Sequence, residues 1–433
     1  MLQSIPSSRV KTVNSKVLAT NGDYILYWMI AARRPTDNFA LQHALDFALK
    51  LKKPIMVFEP LKSTYRWASL RHHQFVIEGM KANQQAFESA GVTYLPYIET
   101  TKGEQKGLLE KLTQNACIVI TDYFPSFFLP HMLQSAAQHL KRRLDVVDSN
   151  GILPLFTAPR EFTTAASFRR HMQKNILQEL QEMPQRNPLS LVRISARAKV
   201  SEKLLSKWPL DNLPTSPSAT SSFLQKLPIN QTVAPVAIRG GHEVANERWH
   251  HFLANCLDTY AEHRNKIVDH STTGLSPYLH FGHISPHTIV RDILSRESWT
   301  QESTAPKASG SRNGWWGLSP AAEALIDQVI TWRELGYTFC HMRPYDYYLY
   351  ESLPNWAQTT LNEHTSDPRD YTYEIQTLEN AETHDPLWNA AQRQLNQEGR
   401  IHNYLRMLWG KKILEWTENP RIALHILTQL NNK

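Results

Sequence analysis

Short β-type runs alternating with amphipathic helical stretches in the first third of the chain restrict the possible folds more than any other feature. Residues 24–30 (YILYWMI) precede a helical pattern over 38–51, and 55–58 (IMVF) precede a long amphipathic stretch over 69–90. The series continues with 92–97, a helical segment before Asn115, 117–121 (CIVIT), a helix around 131–143, and 144–147 (LDVV). Five such strands separated by helices predict a doubly wound, mostly parallel sheet, because neighbouring parallel strands need a crossover and a helix supplies it. No GxGxxG follows the first strand, so the Rossmann-like layout lacks the glycine fingerprint of a dinucleotide site.

Residues 211–241 turn rich in Pro, Ser and Thr, the composition of a segment crossing between domains. Beyond it the pattern is helical: Trp249, Phe252, Leu253, Cys256, Leu257 and Tyr260 recur at i, i+3, i+4, i+7, i+8 and i+11, which defines one buried helix face. A Ser- and Gly-rich interruption at 303–313 is read as a surface loop. The expected organisation is an α/β domain over 1–205, a linker over 206–240 and an all-α domain over 241–433, a division that suits a chain of 433 residues.

Composition narrows the class. With 41% hydrophobic and 20% charged residues the chain is a folded protein and not a disordered or low-complexity one. No apolar stretch reaches membrane-span length and residues 1–14 lack a secretory core, so a cytoplasmic protein without a membrane partner is expected. Cys117, Cys256 and Cys340 are odd in number and far apart, which suggests neither a disulfide framework nor a zinc site. No GxSxG, HExxH or Walker loop occurs. The net charge of +7 suits a phosphate-rich partner, although charge alone does not establish one. A basic run, Arg193, Arg197, Lys199, Lys203 and Lys207, is read either as a brush against phosphates or as a solvated helix face.

The densest chemical signal is STTGLSPYLHFGHISP, residues 271–286. Its two Ser-Pro pairs suit the N-cap and first position of helices, and packed, capped helices would explain them. A second reading starts from Thr272, Thr273, Gly274 and Ser276. They put hydroxyls and a closely approachable backbone at a helix N-terminus, where free N–H groups and the dipole favour a phosphate.

TTGLSPYLHFGHISP resembles the flavin-diphosphate motif of the photolyase and cryptochrome family, in which an α/β domain precedes a helical flavin domain. THDPLWNAAQRQLNQEGRIHNYLRMLWGKKILEWT (383–417) and YWMIAARRPTDNFAL (27–41) are similar to the class II cyclobutane pyrimidine dimer (deoxyribodipyrimidine) photolyases. The resemblance implies an N-terminal Rossmann-like doubly wound parallel sheet followed by a helical FAD-binding domain. It assigns FAD contacts to Tyr260, Arg264, Thr272, Thr273, Gly274, Leu275, Ser276 and Arg333. In HNYLRM it places Arg406 at the flavin ring and Asn403 and Met407 on the lesion side, with Trp332 facing the dimer. Gln328 stands where the family carries a lesion-binding carboxylate, with Asp327 beside it. A glutamine can hydrogen-bond a thymine edge but cannot act as an acid. Arg406, set between Leu405 and Met407, requires a partner if buried, either a flavin or a carboxylate.

Trp409 and Trp416 are seven residues apart, hence on nearly one helix face and separated by roughly 10 Å of rise. Tryptophans at this spacing commonly form a core. The resemblance implies instead an electron route from Trp409, nearest the flavin, through Trp388 to Trp416. It ends at 427–433 (LTQLNNK), short of the family's aspartate- and asparagine-rich flavin loop, with Asn431 matching the asparagine that faces the flavin near the chain end. A shortened C-terminus relative to the family is therefore expected.

The implied activity is that of a deoxyribodipyrimidine photo-lyase, a carbon-carbon lyase. Light-driven electron transfer from reduced FAD to cyclobutane pyrimidine dimers would repair UV-damaged DNA flipped into the site by a monomer. An antenna chromophore of deazaflavin or folate type is an open addition. The alternatives are a cryptochrome-like flavin photoreceptor without repair activity and an inactive truncated photolyase.

Overall fold

The structure, a computed structural model, describes residues 2–192, 196–210, 213–267 and 271–433. Arg193 of the basic run and Asp211 at the start of the Pro-, Ser- and Thr-rich segment lie outside the described residues. Six strands form one sheet in the order β1-β6-β5-β2-β3-β4: β1 Val10–Thr12, β2 Tyr24–Trp28, β3 Ile55–Leu61, β4 Thr93–Ile98, β5 Ala116–Asp122 and β6 Leu144–Val147. All neighbours pair in parallel except β1 with β6. The expected five strands are present. β1, an antiparallel edge strand of three residues, is additional, and Thr12 Oγ1 ties it to Asp145 on β6 at 2.7 Å.

The central strands are buried on both faces, which is why YILYW and ACIVITD read as continuous apolar runs. Leu26, Trp28 and Phe58 enter one hydrophobic layer, and Ile25, Tyr27 and Val57 the other. Helices Phe39–Leu51 and Leu70–Ser89 start at side-chain caps, Asn38 accepting from Leu41 N–H and Ser69 from His72 N–H.

A carboxylate at the end of β5 sets the path of the chain after β2. Asp122 Oδ2 accepts N–H bonds from Ile30 (2.8 Å), Ala31 (2.8 Å) and Ala32 (3.0 Å), while Tyr27 donates its hydroxyl to Oδ1 at 2.8 Å. The loop so held presses on Gly282 of the HFGHISP stretch. Gly282 has φ +77°, and a Cβ there would stand 1.8 Å from the Ala31 carbonyl oxygen. Arg34 adds a bond from Nη1 to the Gly282 carbonyl at 2.9 Å.

The 206–240 segment is not a bare loop. It contains the helix Pro217–Leu224, and Leu224, Leu227 and Ile229 are buried against Val76, Ile77 and Met80. Beyond it the predicted face is realised by the helix His242–Asn255 and the short turn Tyr260–His263, with Trp249, Phe252, Leu257 and Tyr260 in one core with Tyr278, Ile289 and Ile330. Among the described residues no helix is long and apolar enough to cross a membrane.

Replacing Asp122 with Ala leaves three amides and a phenol without their acceptor. At about 1–3 kcal/mol for each buried donor left unpaired, the variant is expected to lose at least ~3 kcal/mol in denaturant unfolding. Asp122→Asn, which keeps an oxygen in place, is expected to lose less. An unchanged midpoint for the Ala variant would contradict this role.

Candidate functional site

The two Ser-Pro pairs of the 271–286 motif behave differently. Ser285 caps the helix Pro286–Arg296 by accepting His287 N–H at 3.2 Å. Ser276 is itself the first residue of Ser276–His280, where no side chain caps. Ser276 and Thr272 are exposed, and Thr273 Oγ1 accepts Leu275 N–H at 3.2 Å. The cause is upstream: Gly274 takes φ +62° and Leu275 is sunk in the core, so the helix begins at Ser276, one residue earlier than a Ser276 cap requires.

Two guanidinium groups accompany this turn. A Cβ at Gly274 would lie 2.6 Å from Arg248 Nη1, so the bare glycine admits Arg248 against the backbone. Arg264 lies over the Tyr260 ring, 5.7 Å from its centroid, and its Nη1 is buried without a hydrogen-bond partner. A buried guanidinium nitrogen without an acceptor is costly. Hydroxyls, a bare glycine and an orphaned cationic donor fit a diphosphate group.

The predicted helix over 324–339 is interrupted. Pro320–Ile326 is α-helical, Asp327–Trp332 forms π-type turns and Arg333–Met342 is α-helical again, an insertion common at functional sites. Trp332 is 52% exposed and Gln328 half-buried. Asp327, buried, pairs with Arg169 through two bonds of 2.7 and 3.1 Å and is not available to a ligand. Arg333 donates to the Asn150 carbonyl at 2.5 Å and lies 4.4 Å from the Tyr337 ring centroid. Next to it Glu334, fully buried, accepts the amides of Ile152 (2.7 Å) and Leu153 (3.1 Å). Burial pushes its carboxyl up to about 7, against the opposing pull of those amides, Arg333 and Arg9.

A cleft of about 1210 Å³ opens over the carboxyl ends of β2 and β3, beside the point where the strand order reverses between β5 and β2. Trp28, Phe58 and Phe128 form part of its α/β wall. Ser276, Arg333, Arg406 and Asn431 line it as well, so it gathers these predicted flavin residues, whereas Tyr260, Arg264 and residues 272–275 stand outside its lining. Arg406, expected to need a flavin or a carboxylate, is exposed and donates from Nη1 to Asn431 Oδ1 at 2.6 Å. Asn431 belongs to the helix Pro420–Asn432.

One turn after Arg406 comes Trp409, buried in the helix Asn403–Glu415. Its ring stacks on Trp388 with centroids 6.3 Å apart and planes 2° from parallel. Trp388 in turn meets Trp416 edge to face at 5.7 Å. Trp388 thus stands between the two tryptophans of the heptad, in the implied order. Asp385 caps Trp388's helix, Trp388 Nε1 donates to the Trp409 carbonyl at 3.1 Å, and Trp409 Nε1 to Gln392 Oε1 at 2.8 Å.

The proposed lesion residues divide between two helical elements. Asn403 and Met407 are exposed on one and Trp332 on the other. Among the described residues no hydrogen bond or ring contact joins them. Sequence reasoning missed Arg248, Glu334 and Gln392. Gln392 was within reach, since it follows Trp388 by one helical turn and must face the same way. Arg248 carries no sequence signal of its own.

Solved structures share this architecture. A bacterial class III photolyase from Agrobacterium tumefaciens superposes with a TM-score of 0.61 at 17% identity, covering 95% of this chain and 80% of that one. A Synechocystis cryptochrome gives 0.62 at 15% identity, covering 94% and 82%. The fold is therefore that of the photolyases and cryptochromes. No family model matches the chain. Among curated proteins, the deoxyribodipyrimidine photo-lyase of Methanothermobacter thermautotrophicus is 31% identical over 430 residues, 99% of this chain and 86% of the relative. That of Arabidopsis thaliana is 29% identical, with 94% and 77% covered. The chain belongs to the photolyase/cryptochrome family.

Glu334 yields a pH prediction with a definite sign. A carboxyl raised from 4.5 to about 7 on folding contributes stability that is fully present below pH 4.5 and lost as the pH rises through 7. Relative to wild type, Glu334→Gln is expected to gain on the order of 2–3 kcal/mol between pH 5 and pH 8, read from denaturant unfolding at the two pH values. A pH-independent difference would contradict the titration.

Proposed function

We propose that the chain is a light-driven DNA lyase that binds FAD and splits cyclobutane pyrimidine dimers in UV-damaged DNA. The observation that carries this reading is the contiguous Trp409–Trp388–Trp416 array, which starts one turn from the Arg406–Asn431 pair on the cleft wall. Thr272, Thr273, Gly274, Leu275 and Ser276, with Arg264, hold the diphosphate, and Tyr260 supports Arg264. Arg333, Arg406 and Asn431, which line the cleft, would hold the isoalloxazine, where a guanidinium would favour a reduced, anionic ring. FAD, when bound and fully reduced, would supply the light-driven electron for opening the dimer's cyclobutane ring.

Trp332, Gln328, Asn403 and Met407 receive the flipped dimer, whose weakened pairing lowers the unstacking cost. The chain's positive net charge supports phosphate contacts around them. The aromatic α/β side of the cleft suits an antenna chromophore of deazaflavin or folate type. The protein is proposed to act as a cytoplasmic monomer.

A second reading, a cryptochrome-like photoreceptor without repair activity, is favoured by one observation. Gln328 replaces the lesion carboxylate while the neighbouring Asp327 is taken up by Arg169.

Illumination of FAD-loaded, reduced protein with dimer-containing oligonucleotide separates the two. Restoration of intact pyrimidines supports the lyase, and flavin photochemistry without repair supports the photoreceptor. Trp388→Phe is expected to lower the rate of flavin photoreduction several-fold while leaving FAD content unchanged. It should also leave repair by chemically prereduced protein unchanged. Equal photoreduction in the variant would remove the array from the mechanism.

A further inference from the structure

The basic run over 197–207 has no part in the site described above, yet its backbone is firmly placed. It covers the edge strand β4: Thr93 Oγ1 donates to the Ala198 carbonyl at 2.9 Å, and Trp208 Nε1 donates at 2.8 Å to the carbonyl of Glu104 in the loop after β4. Ala198, Trp208 and Leu210 are buried with Leu108 and Leu112. An apolar inner side anchored in this way turns the polar side outward. Arg197, Lys199, Lys203 and Lys207 are exposed there, joined by Lys102 and Lys106 from the loop after β4.

The carboxylates of that loop are spent on its own amides. Glu99, buried, accepts the N–H groups of Ser63 at 3.1 Å and Gly103 at 3.0 Å, and Glu104 accepts those of Thr100 at 3.1 Å and Thr101 at 3.2 Å. Exposed carboxylates beside the lysines are Glu202 and Glu110. Among the described residues the lysines in ion pairs are Lys50, Lys412 and Lys433, so the ammonium groups of Lys102, Lys106, Lys199, Lys203 and Lys207 have no ion-pair partner in the chain.

We propose that this lysine face of the α/β part is a second contact for duplex DNA, outside the lesion pocket, that holds the phosphate backbone without reading sequence. The inference rests on the DNA reading above and needs no cofactor. Lys199, Lys203 and Lys207 recur every fourth residue, at steps of roughly 6 Å where the chain is helical. Phosphates follow one another along each strand at about 3.4 Å of rise, so flexible side chains at this spacing can meet a run of them. A lysine offers a mobile point charge and not the planar fork that reads base edges, and contacts of this kind position a duplex without sequence information. The Lys207 ammonium lies 4.2 Å from the centroid of the Trp208 ring, which supports the side chain while leaving it exposed. Lys106 also lines the cleft, so the face runs up to the cleft rim and keeps a bound duplex beside it.

Lysines that only solvate and protect a sheet edge would leave DNA binding unaltered when their charges are removed. The test is fluorescence anisotropy with an undamaged duplex, and with the same duplex carrying one cyclobutane pyrimidine dimer, over a series of salt concentrations. The triple variant Lys199→Gln, Lys203→Gln, Lys207→Gln is compared with Lys16→Gln, Lys52→Gln, Lys141→Gln, which removes the same charge from exposed positions elsewhere on the α/β part. The first triple variant is expected to bind the undamaged duplex several-fold more weakly. Its plot of log affinity against log salt should be shallower by about 2.7, from ~0.9 for each lysine, with the preference for damaged over undamaged DNA retained. The second should keep the wild-type slope. Equal slopes in the two triple variants, or a wild-type slope in the first, would overturn this inference alone. Wild-type protein that binds neither duplex would overturn the DNA reading, and this face with it.

Discussion

One carboxylate governs how the α/β part meets the helical part. Asp122 sits at the carboxyl end of β5 and gathers three successive amides of residues 30–32, a concavity of N–H groups that would otherwise attract an anion. The loop held in this way meets Gly282, where only a glycine fits, and Gly282 lies six residues after Ser276 in the motif that resembles a diphosphate site. The strand-end cleft, walled by Ile30 and Ala31 on one side and by Ser276 and Arg333 on the other, depends on this contact.

Buried charges elsewhere divide into those the fold consumes and those it leaves open. Asp327 is committed to Arg169, and Glu334 to two amides of the loop after β6. Together they anchor the π-type segment on both sides, so that Trp332 faces solvent while Arg333 reaches the cleft. Arg264 keeps a buried nitrogen without a partner. With Asp327 and Glu334 both satisfied from within the fold, the unpaired Arg264 donor beside the 272–276 turn has the electrostatics of an anion site.

Much of this was legible in the sequence where local pattern decides. The parallel strands announced themselves because burial on both faces demands uninterrupted apolar runs, and the order of the tryptophans followed from family resemblance. Strand β1 did not: VKT has no pattern of its own and exists as a strand only because β6 pairs with it. The Ser-Pro pairs look alike in sequence, yet only Ser285 caps, since Gly274 and Leu275 move the start of the first helix. Heptad spacing placed Trp409 and Trp416 near one face but could not show that Trp388 fills the gap between them, a position set by Asp385 and by bonds to Trp409 and Gln392. Asp327 beside Gln328 could stand in as a lesion carboxylate until Arg169, 158 residues away, is seen to hold it.

The central claim is that these residues form a flavin site, and direct titration of the purified chain with FAD tests it without light or DNA. Calorimetry combined with flavin fluorescence should show saturable binding of one FAD per chain, with quenched fluorescence, and weaker binding when Arg264 is replaced by Leu. Absence of saturable heat and unquenched flavin in a folded chain would contradict the claim.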